Sequence, residues 1–226
     1  MFFVPLRRQM NYKPIKILTN MKKTILFAAV MMLAASAFAQ RKAGTWSALA
    51  KVGLNIADYS NTGDADTKPR LGIVSGIGVA YQIDKRIGLS AEALYSQQGT
   101  KETEQLYASP MSETVTYKTD YVNFPILVSY YPVKGLAVKF GVQPAVNVNS
   151  TYDLSSGPMA SGTLNGCNTF DFSIPVGLSY EFDRVFIDAR YNIGLTNVGE
   201  QGSLHNRVIQ ITAGLKLDFG KKRSKN

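Results

Sequence analysis

The 226-residue chain holds one cysteine, Cys167, and one histidine, His205. A single thiol excludes an intramolecular disulfide framework. A single imidazole excludes a histidine metal cluster and forces any histidine-dependent hydrolysis onto one loop, where Ser203 and His205 stand two apart. Those two read as ordinary solvated loop residues, so the chain is not expected to be an enzyme. No metal-ligand spacing, phosphate loop or nucleotide fingerprint occurs, and no cofactor is expected. The pattern Gly72-x-x-x-Gly76-x-Gly78 reads as the small-residue face of a strand. The apolar run from Ile25 to Ala35 falls short of the about 20 residues that a bilayer-spanning helix needs. Helical periodicity of useful length is missing altogether.

Acidic residues are absent from the first 40 positions, and this resolves the formal charge of +9. Six basic residues, Arg7, Arg8, Lys13, Lys16, Lys22 and Lys23, precede residue 40. From Gln40 onward 19 basic residues face 16 acidic ones, and four of the 19 lie in the tail KKRSKN (Lys221, Lys222, Arg223, Lys225). The body between is one charge negative, which removes the support for a nucleic-acid partner. Residues 21–39 carry two lysines, the short apolar run and the small-residue pattern Ala37-Phe38-Ala39, the order of a secretory signal peptide. Cleavage is expected after Ala39. Residues 1–20 then read as an upstream extension from a start codon ahead of the true one, 40–220 as the folded domain and 221–226 as a basic periplasmic tail.

What the chain has in quantity is alternation. Segments of about a dozen residues with period-2 patterning, the mark of strands with unlike faces, cover about 46–57, 70–82, 86–99, 115–130, 136–149, 169–182, 184–196 and 207–219. The connections alternate in length. Tight turns at Asp84-Lys85, Pro132 to Gly135 and Asp183 alternate with long polar segments around 59–69, 100–114, 150–168 and 197–206. All long loops therefore fall at one end. An even strand number with short periplasmic turns and longer extracellular loops describes an outer-membrane barrel. The expected fold is all-β: an eight-stranded antiparallel up-and-down transmembrane β-barrel, both chain ends on the periplasmic side.

Face composition decides which side of the sheet is inside. One face of the sixth segment carries Phe170, Phe172, Ile174, Val176, Leu178, Tyr180 and Phe182; the other carries Asp171, Ser173, Pro175, Gly177, Ser179 and Glu181. The fifth splits likewise, with Ala137, Lys139, Gly141, Gln143, Asn147 and Asn149 on its small and polar side. An eight-stranded barrel has an interior just wide enough for side chains. The small polar face fits that space, so the apolar face is expected to meet lipid. Closure satisfies every backbone polar group internally.

That assignment gathers Lys51, Glu92, Lys139, Asp171, Glu181, Asp188, Arg190, Lys216 and Asp218 inside, as a salt-bridged structural network; the competing reading is an ion or proton path. Aromatics collect at strand ends, Trp46, Tyr81, Tyr130, Tyr180, Phe182 and Phe219 by the short turns and Tyr95, Tyr121 and Phe170 by the loops, as interfacial girdles do. Pro125, Pro144 and Pro175 lie inside strands, where each deletes a ladder hydrogen bond, so bulges or local breaks are expected there. A narrow porin-like channel and a soluble lipocalin-like ligand-binding barrel are the alternatives to a structural, assembly or surface-interaction barrel.

The stretches YVNFPILVSYYP, GLSYEFDRVFIDARYNIGLTNV and the closing VIQITAGLKLDFG, with the signal ending FAQ, resemble the outer-membrane β-barrel domain family that includes PorT-like proteins. The resemblance spans about Trp46 to Gly220. It implies a small barrel in the outer membrane of a Gram-negative cell, in contact with outer-membrane lipid, inserted by the barrel-assembly machinery, with a surface protein or a secretion apparatus as partner. One departure is the tail: such barrels often end on an aromatic strand residue, whereas Phe219 is followed by GKKRSKN.

Overall fold

The computed structural model describes residues 42–60, 67–105, 112–154, 161–199 and 203–219; residues 1–41 and the tail lie outside the described residues, and with them the expected signal peptide. Among the described residues ten strands follow one another: β1 (Thr45–Ser60), β2 (Thr67–Gln82), β3 (Ile87–Gln105), β4 (Ser112–Asn123), β5 (Ile126–Tyr130), β6 (Leu136–Leu154), β7 (Ser161–Thr163), β8 (Phe170–Phe182), β9 (Val185–Gly194) and β10 (His205–Phe219). All pairings are antiparallel, and β1 pairs with both β2 and β10, so the sheet closes on itself. Closure leaves no edge inside the wall, as lipid requires.

The ten strands make eight staves. β4 and β5 are one stave interrupted at Phe124-Pro125, because the β3 partners run on in unbroken register from Leu94↔Asn123 to Ile87↔Tyr130. β7 is a short partner of β6 in the loop region. At the interruption Glu92 N–H donates to Pro125 O at 3.0 Å and Phe124 N–H to Pro144 O at 2.8 Å, so the neighbours hold the break closed. Of the bulges or local breaks expected at the prolines, the structure has breaks: Pro125 interrupts its stave, and Pro144 and Pro175 produce no bulge. Register is equal on both sides of them, and the β6–β8 ladder only lapses between Phe140↔Val176 and Gln143↔Ser173, where Pro175 has no N–H to give.

Bulges occur elsewhere. One lies between Pro69 and Val74 on β2, the other beside Asp120 and Tyr121. At the first, side chains replace ladder bonds. Arg70 donates to Gln98 O, Ile73 N–H donates to Gln97 Oε1 at 3.2 Å, and Asn55 Nδ2 donates to Gln97 O at 3.0 Å. The second turns Asn149 to the exposed side, where it donates to Asp120 at 3.2 Å. The expected inward Asn149 is thus corrected: an extra residue in one strand flips every face beyond it.

The stagger of the ring follows from the register. Stepping across the ladder from Asn55 through Gln210, Arg190, Gly177, Lys139, Ser129, Gly88 and Gln82 returns to β1 at Thr45, ten residues from the start. With a rise of ~3.3 Å and a strand spacing of ~4.8 Å, a shear of ten over eight staves sets a tilt of about 40° and a backbone radius of about 8 Å. Such a bore admits side chains and little else. Burial follows the alternation: on β8, Asp171, Ser173, Pro175 and Ser179 are buried while Phe170, Val176, Leu178 and Phe182 are exposed. Leu71 and Ile77, on the outer face of β2, are each 68% exposed. An apolar belt of this extent is no soluble surface; it is the lipid-facing wall.

Candidate functional site

The inward faces of four staves place five charged side chains at mid-bore. Lys51 comes from β1, Glu92 from β3, Lys139 from β6, and Asp188 and Arg190 from β9. Each is buried, Asp188 with no exposed surface at all. Arg190 and Glu92 form a two-point fork, Nη1–Oε2 at 2.9 Å and Nη2–Oε1 at 2.7 Å. Arg190 also reaches Asp188, Nε to Oδ1 at 2.6 Å; Lys51 reaches Glu92 at 2.7 Å and Lys139 reaches Asp188 at 2.8 Å. In the ring order β1, β2, β3, β4/β5, β6, β8, β9, β10, the staves of Glu92 and Arg190 are diametrically opposite, and so are those of Lys51 and Lys139. The cluster therefore spans the bore in two directions, with three cations against two carboxylates.

Small residues on neighbouring staves make the room. A Cβ on Gly177 would lie 2.9 Å from Arg190 Cγ, and one on Gly214 would meet the Phe186 ring. Phe186 is buried on the inner face of β9, one step toward the short turns, with Lys51 and Lys139 Nζ at 5.8 and 5.6 Å from its ring centre. The ring lies against the cations and fills the bore beneath them. Below it, a cavity of about 20 Å³ bounded by Tyr131, Glu181 and Lys216 among others has room for about one water.

The remaining sequence candidates are dispersed. Lys216 pairs with Glu181 at 3.1 Å near the short turns, and Tyr131 OH donates to the same carboxylate at 3.2 Å. Asp218 accepts from Ser47 Oγ at 2.6 Å at the rim. Asp171 sits toward the loops, accepting from Thr196 Oγ1 at 2.6 Å, remote from the central cluster. The nine residues are one central group of five, one pair and two singles.

Sequence reasoning missed several members. Phe186 shares strand parity with Asp188 and Arg190, so alternation alone places it inside. Arg70 and Asp120, 3.7 Å apart and both buried beside the two bulges, had no such signal, because parity fails where a residue is inserted. Above the cluster the bore is lined by buried amides: Asn55, Asn123, Gln143, Asn192, Asn206 and Gln210. The arrangement offers ion pairs and neutral donors, and its polar atoms lie buried within the barrel.

Residues 38–200, which include the whole central cluster, match the family model described as outer membrane protein beta-barrel domain. No curated protein matches. Similar solved structures include Neisserial surface protein A, 17% identical over 77% of this chain and 97% of that one, with a TM-score of 0.45. Ail, the attachment invasion locus protein of Yersinia pestis, is 13% identical over 78% of this chain and 100% of its own, with a TM-score of 0.44. OprG from Pseudomonas aeruginosa is 13% identical over 79% and 98%, with a TM-score of 0.45.

Proposed function

The chain belongs to the outer membrane protein beta-barrel domain family, and from that membership we propose that it serves as a closed, non-enzymatic barrel presenting a protein-interaction surface outside the cell. The observation that carries this reading is the Arg190–Glu92 fork, which joins opposite staves across a bore already filled by Lys51, Lys139, Asp188 and Phe186. A solute would have to part five mutually paired charges, and each buried charge left alone costs several kcal/mol.

The working surface is the loop side. At a tilt of about 40°, each strand residue advances about 2.5 Å along the axis. The 19 residues of β6 therefore rise roughly twice the ~25 Å height of an apolar belt. β3 has the same length, and β4 pairs with both through Thr100↔Tyr117 and Tyr117↔Tyr152. A sheet of β3, β4 and β6, with β7 alongside, thus stands above the membrane and carries two of the long loops. Loops on a rigid scaffold are where binding residues concentrate. A cell-surface protein or a component of a secretion apparatus is the partner class this surface suits.

Planar-bilayer recording tests the closed bore. The purified barrel should insert without a steady current. A steady ohmic conductance that changes with Lys139→Ala or Arg190→Ala would establish the competing reading, a narrow channel.

A further inference from the structure

Charge is unevenly placed at the two ends of the barrel. The short-turn rim exposes Lys42, Lys85, Arg86, Lys134 and Arg184, and among the described residues none of the five has an ion-pair partner. Its carboxylates are partly committed: Asp84 Oδ1 accepts from the backbone N–H of Arg86 and Ile87 at 2.6 and 2.8 Å, and Asp218 accepts from Ser47. Asp183 occupies the left-handed position of its turn, with φ 54°. The loop side differs. There Lys68, Arg70, Lys101, Lys118 and Arg207 face Asp58, Glu102, Asp120, Asp153 and Asp171, with Arg70–Asp120 and Lys118–Asp153 in contact.

The rim cations are also spread around the whole circumference. Lys42 precedes β1, Lys85 and Arg86 join β2 to β3, Lys134 joins β5 to β6, and Arg184 joins β8 to β9. Aromatic side chains occupy the outer wall at the same level: Trp46, Tyr130, Phe182 and Phe219 are exposed, and Trp46 packs on Tyr81 with centroids 4.8 Å apart. Amphipathic aromatics settle at the headgroup boundary, and lysine and arginine reach from apolar surroundings toward polar groups.

We propose that this rim is a collar for anionic phospholipid head groups in the membrane leaflet on the short-turn side. A ring of unpaired cations at headgroup level complements a planar negative surface all the way round. A protein partner would call for a one-sided patch. Each basic residue close to an anionic lipid surface strengthens association roughly fivefold.

Native mass spectrometry of the full barrel, released from micelles doped with equal phosphatidylethanolamine and phosphatidylglycerol, reads the preference directly. The wild type should retain phosphatidylglycerol in severalfold excess. Combined Lys85→Gln, Arg86→Gln, Lys134→Gln and Arg184→Gln should cut that excess by roughly tenfold or more, while Lys68→Gln with Lys101→Gln on the loop side should leave it unchanged. No excess in the wild type overturns the proposal. An excess that survives the fourfold variant, or falls with the loop-side pair, overturns it as well. If the fourfold variant does not fold, a salt titration of the wild type decides. The excess should fall between about 0.05 M and about 0.5 M salt as the screening length shrinks, and an excess indifferent to salt overturns the proposal. None of these results depends on whether the bore conducts.

Discussion

Replacing Glu92 by glutamine should destabilise the barrel far more than replacing Lys51 by methionine, although the two side chains form one ion pair at 2.7 Å. The asymmetry comes from the charge balance at mid-bore. Glu92→Gln leaves Lys51, Lys139 and Arg190 buried around a single carboxylate, Asp188. Removing one partner of a buried, hydrogen-bonded pair costs about 3–5 kcal/mol, and Glu92 is partner to both Lys51 and Arg190. Lys51→Met leaves two cations with two carboxylates, and the Arg190–Glu92, Arg190–Asp188 and Lys139–Asp188 contacts stay intact. Its loss is one pair from an over-cationic cluster and one contact with the Phe186 ring, about 1 kcal/mol. The gap of at least about 2 kcal/mol corresponds to roughly thirtyfold in the ratio of folded to unfolded barrel. Denaturant titration of the reconstituted protein, followed by Trp46 fluorescence and by unboiled gel mobility, measures it, with equal slopes required for the comparison. Adding Lys51→Met to Glu92→Gln should recover part of the loss, since the double variant removes one surplus cation. Equal costs for the two single variants, or a larger cost for Lys51→Met, would refute the reasoning.

Other substitutions probe the packing and the wall. Gly177→Ala sets a Cβ against the Ala189 carbonyl oxygen of the neighbouring strand and 2.9 Å from Arg190 Cγ, and should cost about 1–3 kcal/mol or more by overpacking, seen as a lower denaturant midpoint. Depth in the wall is read by two arginines on β10. Ile211→Arg, at the middle of the outer face, should cost ~2–4 kcal/mol and Leu217→Arg, beside the rim, ~0–1 kcal/mol, both by equilibrium folding into vesicles. If the two cost the same, the apolar belt is not at the depth that the register assigns it. A cell fractionation should recover the protein with the outer membrane and show a mobility shift between boiled and unboiled samples, as a closed detergent-resistant barrel gives; recovery from the soluble fraction would contradict the outward apolar face.

Alternation made the closed sheet and its inside-out polarity legible before any coordinates. Phe170 to Phe182 shows why: seven outward apolar or aromatic residues, together larger than an eight-stave bore can take, stand opposite Asp171, Ser173, Gly177 and Ser179 on the other side. Loop lengths distinguished the two ends, since the connections on the tight side run from two residues (Asp183-Arg184) to five (Tyr131 to Gly135). Pairing partners stayed hidden. Nothing in the sequence distinguishes Asp171, which is held by Thr196, from Asp188, which is held by Arg190 and Lys139, because both are acids at inward parity. What separates them is their height on the ring, and that is set by the shear. The form of the irregularities was hidden for a related reason. Proline marks a lost donor, which the sheet meets with a local break at Pro125 and Pro175 and no inserted residue, whereas the insertion beside Asp120 carries no proline at all.

The central cluster also discriminates between registers. Its members reach the bore from β1, β3, β6 and β9, so the ion pairs form only if four separately paired staves arrive at one height with one parity. A one-residue slip at any seam turns the whole inward set of that stave outward. For β9 the slip would carry Asp188 and Arg190 into lipid and bring Ile187, Ala189 and Tyr191 into the bore, against Gly177 and Lys139. An arginine at mid-membrane on the lipid side costs ~2–4 kcal/mol; Glu92 would keep only Lys51, and Lys139 would be left buried without Asp188, at several kcal/mol. A neutral polar lining would tolerate the same slip at far smaller cost, since Asn192 or Gln210 exchange partners freely. The five charges are thus placed where a closed sheet is most exposed to error: at a height every stave must share, joined across both diameters of the ring.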